Sequence, residues 1–293
     1  MTRPAKIVFA LAIAVGLLWG MSIYYRLPLL SLSTFVTPEH LPSVCLKQDS
    51  KLFYLTIDTG LRYDMSLNPE AMSAWKYEKT ERKLEVKNFY GLVSMRDLYS
   101  LDFLRLGGIK ISNVEFFEEH DKDTPVIELS GGIRCRNNHP HIPTQGTLGM
   151  GIFERYNILF DFKTATMKLY RKGVRPASIG KSKPLSVSFE RRLSLPVVQL
   201  DTNYGPKRFL IDTGSTVSCL SADSISRYSV QTSEGTDWVK LQLSYHGQTL
   251  CEKQFRFFGE NMDLIGVDGI IGMNILGFYS VFFDNKRNLV YFF

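Results

Sequence analysis

Short apolar runs of strand length, each closed by a turn former or an acid, recur along most of the 293-residue chain. "KLFYLTID" (51–58) and "KRFLID" (207–212) both carry their apolar run up to an aspartate. "LRLGGIKISNVEFFEE" (104–119) predicts strand, Gly-Gly turn, strand. "LQLSYHGQTL" (241–250) repeats that pattern, with Gly247 at the turn. Residues 156–170 and 278–293 predict closing hairpins that turn at "DFKTAT" and "DNKRN". Short helices are predicted near "NPEAMSAW" (68–75) and "SADSISRY" (221–228), the second with Ser221 as its cap.

One run has no such punctuation. Residues 7–25 are 19 residues without a charge. As a helix they would span ~28 Å, close to the ~30 Å hydrocarbon core of a bilayer. Arg3 and Lys6 precede the run and favour a cytoplasmic N-terminus. The run is long for a signal-peptide core, and no small-x-small cleavage site follows it. It therefore predicts an uncleaved anchor in preference to a cleaved signal. Either one leaves the rest of the chain outside the cytoplasm. The first strand pattern follows so soon that the domain should work close to the membrane.

The chain also matches itself. At a shift of 154, "LPSVCLKQDSKLFYLTIDTG" (41–60) lies on "LPVVQLDTNYGPKRFLIDTG" (195–214) without a gap. At a shift of 123, "LGMGIFERYNILFDFKTATMKLY" (148–170) lies on "IGMNILGFYSVFFDNKRNLVYFF" (271–293). Two matched blocks in the same order indicate duplication, and a repeat of this length is domain-sized. The first copy is longer between its DTG and its closing glycine. Part of that surplus falls in 84–100 and the rest in 120–146. The organisation expected is a stub and anchor over 1–26, a first lobe over 27–170, a linker over 171–184 and a second lobe over 185–293.

Composition adds to this picture in three places. Aromatic residues make up 13% of the chain, with 20 Phe and 14 Tyr, which leans toward β structure. The net charge of +6 is concentrated in "RKGVRPASIGKSKP" (171–184), which holds five cations and no acid. That segment reads as a solvated connector, with an anionic-lipid or phosphate contact as the alternative. Nothing points to nucleic acid, because the cations form no basic helix and do not interleave with aromatics. The four cysteines allow three pairings. Cys45 and Cys219 sit in strand patterns that suggest buried thiols. His139 and His141 lie two apart with no third ligand nearby, so no metal or other cofactor is expected.

Apolar-apolar-Asp-Thr-Gly followed by a later apolar-apolar-Gly strand resembles the aspartic proteases. "IDTGSTVSCLS" with "IIGMNILGFYSVFFDNKRNLVYF" looks like their bacterial retropepsin-like branch, and two copies in one chain are similar to the pepsin arrangement. The resemblance covers residues 29–293. It implies an all-β, bilobed acid-protease β-barrel fold preceded by one transmembrane helix. It also implies a catalytic pair, Asp58 and Asp212, that shares one proton across a pseudo-twofold axis and activates water for attack on a peptide bond.

Further roles follow from the resemblance. Thr59 and Thr213 would bond across the lobes. Gly60 and Gly214 would let backbone N–H groups approach the carboxylates, and the Ser215 hydroxyl would hold one of them. A flap around 86–93, with Tyr90 and Gly91 near its bend, would cover the cleft. The implied partners are a polypeptide substrate and, through residues 7–25, a lipid bilayer. The implied catalytic unit is a monomer on the periplasmic side of a bacterial inner membrane. Leu61 and Arg62 depart from the pattern, where a small residue is usual after the DTG: Leu61 cannot offer Asp58 the hydrogen bond that Ser215 would offer in the second copy, and Arg62, if it pointed inward, would favour an ionised Asp58. They keep a protease-shaped, non-cutting peptide-binding or envelope interaction module as the alternative.

Overall fold

A computed structural model describes residues 15, 26–37, 40–48, 51–87, 93–119, 144–181, 183–225, 238–258 and 266–293. Ten strands build the first half: β1 (Leu30–Val36), β2 (Pro42–Gln48), β3 (Lys51–Asp58), β4 (Met65–Leu67), β5 (Glu78–Lys87), β6 (Val93–Leu106), β7 (Ile109–Glu118), β8 (Gly146–Gly149), β9 (Asn157–Asp161) and β10 (Thr166–Tyr170). Nine build the second: β11 (Leu185–Arg192), β12 (Leu195–Thr202), β13 (Gly205–Ile211), β14 (Cys219–Ser221), β15 (Trp238–Tyr245), β16 (Gln248–Phe258), β17 (Gly269–Ile271), β18 (Ser280–Asp284) and β19 (Leu289–Phe292). The molecule is mostly β, as the short punctuated runs predict.

The two halves share one topology. In the first, β3 pairs antiparallel with β2 and parallel with β8; β4 runs antiparallel to β8 and parallel to β7. In the second, β13 pairs antiparallel with β12 and parallel with β17; β14 runs antiparallel to β17 and parallel to β16. The internal match extends beyond the segments that declare it. The shift of 154 carries Met65–Leu67 onto Cys219–Ser221, although no residue is shared there.

Alternation sets which side chains enter the lobes. On β2, Val44 and Leu46 are buried while Cys45 and Lys47 point out. Cys45 is therefore an exposed thiol, contrary to the reading from its apolar context; its strand neighbours face inward and it does not. Cys219 is buried as expected, and both are free, as is Cys251. Cys135, His139 and His141 lie outside the described residues. The Pro69–Ser73 helix is capped by Asn68, whose Oδ1 accepts from the Ala71 N–H at 2.8 Å. Ala222–Ser224 is a single 3₁₀ turn, and the Ser221 side chain does not cap it.

A separate antiparallel sheet joins the halves in the order β1-β10-β9-β18-β19-β11. Its centre is the β9–β18 pair, with Phe160 opposite Val281 and Leu159 opposite Phe282. The hairpins predicted over 156–170 and 278–293 are β9–β10 and β18–β19. Their polar ends interlock symmetrically. Ser280 Oγ donates to Asp161 Oδ1 at 3.1 Å, and Asn157 Nδ2 donates to Asp284 Oδ1 at 3.2 Å. The shift of 123 exchanges Asn157 with Ser280 and Asp161 with Asp284, so the two bonds are related as the halves are.

One face of this sheet, with Ile158, Phe160, Val281 and Phe283, merges with the core of both lobes. The other face, with Leu159, Tyr170, Phe282 and Tyr291, is covered by the linker through Val174 and Ile179. The linker is thus more than a solvated connector. Pro176 and Ile179 are buried, and Arg175 Nε reaches the fully buried Asp284 Oδ2 at 3.1 Å. Among the described residues no helix is long and apolar enough to cross a membrane. Apart from Val15, the anchor predicted over 7–25 lies outside the described residues.

Candidate active site

β3 and β13 deliver the two aspartates to the seam between the lobes. Ile57 and Ile211 are the last core-facing residues of their runs, both fully buried. The next residue in each, Asp58 and Asp212, turns to the cleft floor. Thr59 and Thr213 then cross over. The Thr59 N–H donates to Thr213 Oγ1 at 3.1 Å, and the Thr213 N–H donates to Thr59 Oγ1 at 3.0 Å. Each hydroxyl donates onward into the opposite strand, Thr59 Oγ1 to the Ile211 carbonyl at 2.7 Å and Thr213 Oγ1 to that of Ile57 at 2.8 Å. Both threonines are buried, so the four bonds form in the absence of competing water.

The glycines set the carboxylates close together. A Cβ on Gly214 would lie 2.3 Å from Asp58 Cγ, and one on Gly60 would lie 2.7 Å from Asp212 Cγ. Only glycine lets each lobe approach the other's acid this closely. Asp58 Oδ1 accepts from the N–H groups of Gly60 at 2.7 Å and Leu61 at 3.1 Å. Asp212 Oδ1 accepts from the Gly214 N–H at 2.8 Å.

Burial raises the pKa of Asp58 well above the ordinary aspartate range, and the Asp212 charge and a hydrogen bond to Asp212 raise it further. Burial also raises Asp212. There the hydrogen bond from Asp58 and the N–H groups of Gly214, Gly60 and Ser215 act in the opposite direction. Two buried carboxylates this close cannot both ionise, so the pair shares one proton and one negative charge and titrates as a unit.

The loops after the two acids are pinned alike. Met150 N–H donates to the Leu61 carbonyl at 2.6 Å, and Met273 N–H to that of Ser215 at 2.8 Å. Ser215 differs from its expected role. Its hydroxyl donates to the Val217 carbonyl at 2.8 Å, so it turns into its own loop, and only its backbone serves the carboxylate. Leu61 accordingly forfeits nothing at the dyad. Its side chain joins Tyr63 and Val86 against Leu84, Leu98 and Phe117, at the base of the β5–β6 hairpin.

Arg62 turns away from Asp58. Its guanidinium bonds the Tyr63 hydroxyl, sits 4.6 Å from that ring's centroid and reaches the β5 carbonyl of Glu85 at 3.4 Å. The β5–β6 hairpin occupies the position expected of the flap, with Lys87 opposite Val93 at the last described rung. Tyr90 and Gly91 lie outside the described residues. Leu61→Ser should lower the melting temperature by removing an apolar side chain from the cluster at the hairpin's base, as calorimetry would report.

Sequence reasoning missed a second polar layer beneath the dyad. In the first lobe, Asp64 Oδ2 accepts from the Glu115 N–H at 2.9 Å and from Arg155 Nη2 at 2.7 Å. In the second, Asn274 Oδ1 accepts from the Ser218 N–H at 2.7 Å and from Ser218 Oγ at 2.6 Å. The two shifts align Asp64 with Ser218 and Gly151 with Asn274. The larger polar side chain thus comes from the loop in one lobe and from the helix in the other. A Cβ on Gly151 would sit 2.6 Å from Asp64 Oδ1, so one site cannot hold both. Aligning the copies shows this exchange, but neither copy shows it alone.

Burial raises the pKa of Asp64, against the pull of the Glu115 N–H and Arg155. Arg155→Ala removes a donor that favours the ionised form. Its destabilisation should be about 1–3 kcal/mol at neutral pH. It should shrink as pH falls through the Asp64 pKa, which denaturant titrations at two pH values would measure. Among the described residues no three His, Cys, Asp or Glu side chains gather into a metal site.

No family model matches the chain, and no curated protein matches it in sequence. Solved structures do match its fold. The aspartic proteinase from Irpex lacteus superposes with a TM-score of 0.55 at 15% identity, covering 89% of this chain and 96% of that one. The basic 7S globulin from soybean superposes with a TM-score of 0.54 at 12% identity, covering 89% of this chain and 93% of that one. At these identities the likeness establishes the bilobed, pepsin-like fold.

Proposed function

We propose that the chain is a membrane-anchored aspartic endopeptidase. The observation that carries this reading is the close pair of carboxylates, Asp58 and Asp212, at the seam of two matched lobes. In the proposed reaction the ionised carboxylate takes a proton from water as the water oxygen attacks the peptide carbonyl carbon. The protonated partner gives its proton to the carbonyl oxygen. Collapse of the tetrahedral adduct breaks the C–N bond: one hydroxyl of the adduct returns a proton to the pair as the amine nitrogen gains one from it, which restores the singly protonated dyad. The protein needs no covalent adduct, and one chain supplies both acids, so the catalytic unit is a monomer. Membership of the bacterial retropepsin-like branch is the finer assignment, supported by "IDTGSTVSCLS" and the closing block.

Residues 7–25 are proposed to anchor the chain, with its N-terminus cytoplasmic and the lobes on the periplasmic side. The support is the uncharged run behind Arg3 and Lys6. The same fold carries a globulin, so a peptide-binding module that does not cut is the second reading. Detergent-solubilised full chain, incubated with an unfolded protein at mildly acidic pH, should generate new N-termini. Binding of the polypeptide without new termini would establish the second reading instead.

A further inference from the structure

The linker segment 171–184 lies beside the point where the chain would leave the bilayer. The Leu29 N–H donates to the Leu169 carbonyl at 2.7 Å, and Leu30 pairs with Leu169. Residues 26–29 and the start of the linker at 171 therefore leave the sheet at the same end of the β1–β10 pair. Arg26 and Leu27 are both exposed.

From there the linker crosses the outer face of the inter-lobe sheet. Pro176 and Ile179 turn inward, while Lys172, Arg175 and Lys183 are exposed. Lys286 joins them from the β18–β19 turn; a Cβ on Gly173 would lie 3.4 Å from its Nζ. The segment contains no acid, and the acid beneath it, Asp284, is fully buried and bonded to Arg175 and Arg287. What remains on the surface is positive charge at the bilayer's edge.

The opposite face of the same sheet merges with the core that contains Ile57 and Ile211, the residues before the two acids. Linker and dyad therefore lie on opposite sides of the sheet.

We propose that the linker face is a docking surface for anionic lipid headgroups of the bilayer entered by residues 7–25, and that it holds the cleft on the far side of the domain. The proposal rests on the anchoring reading above. It replaces the expectation of a membrane-proximal cleft: the short tether sets the distance of the domain, but the docked face sets its orientation. The substrates so favoured are exported polypeptides in solution. Clusters of lysine and arginine next to an anchor are drawn to anionic leaflets within about a Debye length.

The test uses full chain in nanodiscs of phosphatidylcholine, with and without phosphatidylglycerol. Lysine acetylation is read by mass spectrometry. Phosphatidylglycerol should slow labelling of Lys172, Lys183 and Lys286 several-fold and leave Lys79 and Lys240 unchanged. A K172E/K183E variant should lose the protection at Lys286. Equal labelling in both discs, with the chain retained through an alkaline carbonate wash, overturns docking and leaves anchoring intact. Protection before the wash followed by release during it supports docking and overturns anchoring. Release without prior protection overturns both.

Discussion

Asp212→Asn should lower kcat/KM for peptide cleavage by about 10²–10⁴-fold, the range for losing a positioned acid–base group. Asp58→Asn should do the same, since each acid carries half of the proton transfer. A variant that cleaves at the wild-type rate in a continuous fluorogenic-peptide assay would exclude the dyad. The wild-type profile should be bell-shaped. Activity falls at low pH as the pair takes up a second proton and at high pH as it loses the one it shares. The alkaline limb should lie above the ordinary aspartate range, because burial and the neighbouring charge oppose loss of that last proton.

The same shift has a stability consequence. The folded pKa of Asp58 lies above its unfolded value, so the acid's contribution is full below the unfolded pKa. It is lost as pH rises through the folded one. A permanently neutral amide escapes that loss. Asp58→Asn should therefore melt at a higher temperature than wild type near neutrality, and the gain should fade on acidification. Scanning calorimetry at two pH values would test it.

Thr59→Val should be among the most damaging single changes to the scaffold. It keeps the shape but removes a hydroxyl that accepts from the Thr213 N–H and donates to the Ile211 carbonyl. Both partners stay buried without a replacement. At about 1–3 kcal/mol for each stranded group, the loss should be about 2–6 kcal/mol. Thr213→Val should cost a similar amount, since its bonds mirror those of Thr59. A double-mutant cycle by chemical denaturation should then give less than the sum, because both changes break one shared network.

Much of the architecture was legible because the chain writes it twice. The shifts of 154 and 123 locate equivalent strands, the two acids and the closing hairpins before any geometry is known. Contacts made by departures from the repeat were not legible. Leu61 read as a lost hydrogen bond, yet the bond it was thought to lack is absent from the other lobe too, where Ser215 bonds Val217. Arg62 read as a cation beside Asp58, yet Tyr63 and the Glu85 carbonyl claim it. Cys45 read as buried because its neighbours are apolar, and alternation on β2 places it outside. The joining of the closing hairpins into one inter-lobe sheet is a long-range pairing that no local pattern encodes.

The inter-lobe sheet also makes the order of synthesis matter. Strand β19 lies between β18 and β11, so the inter-lobe sheet cannot close before residues 289–292 exist. Until then β11 has no neighbour in that sheet, and the seam between the halves is open at one edge. A polypeptide halted before these residues would carry both acids and both threonines without the strand that ties the shared sheet together.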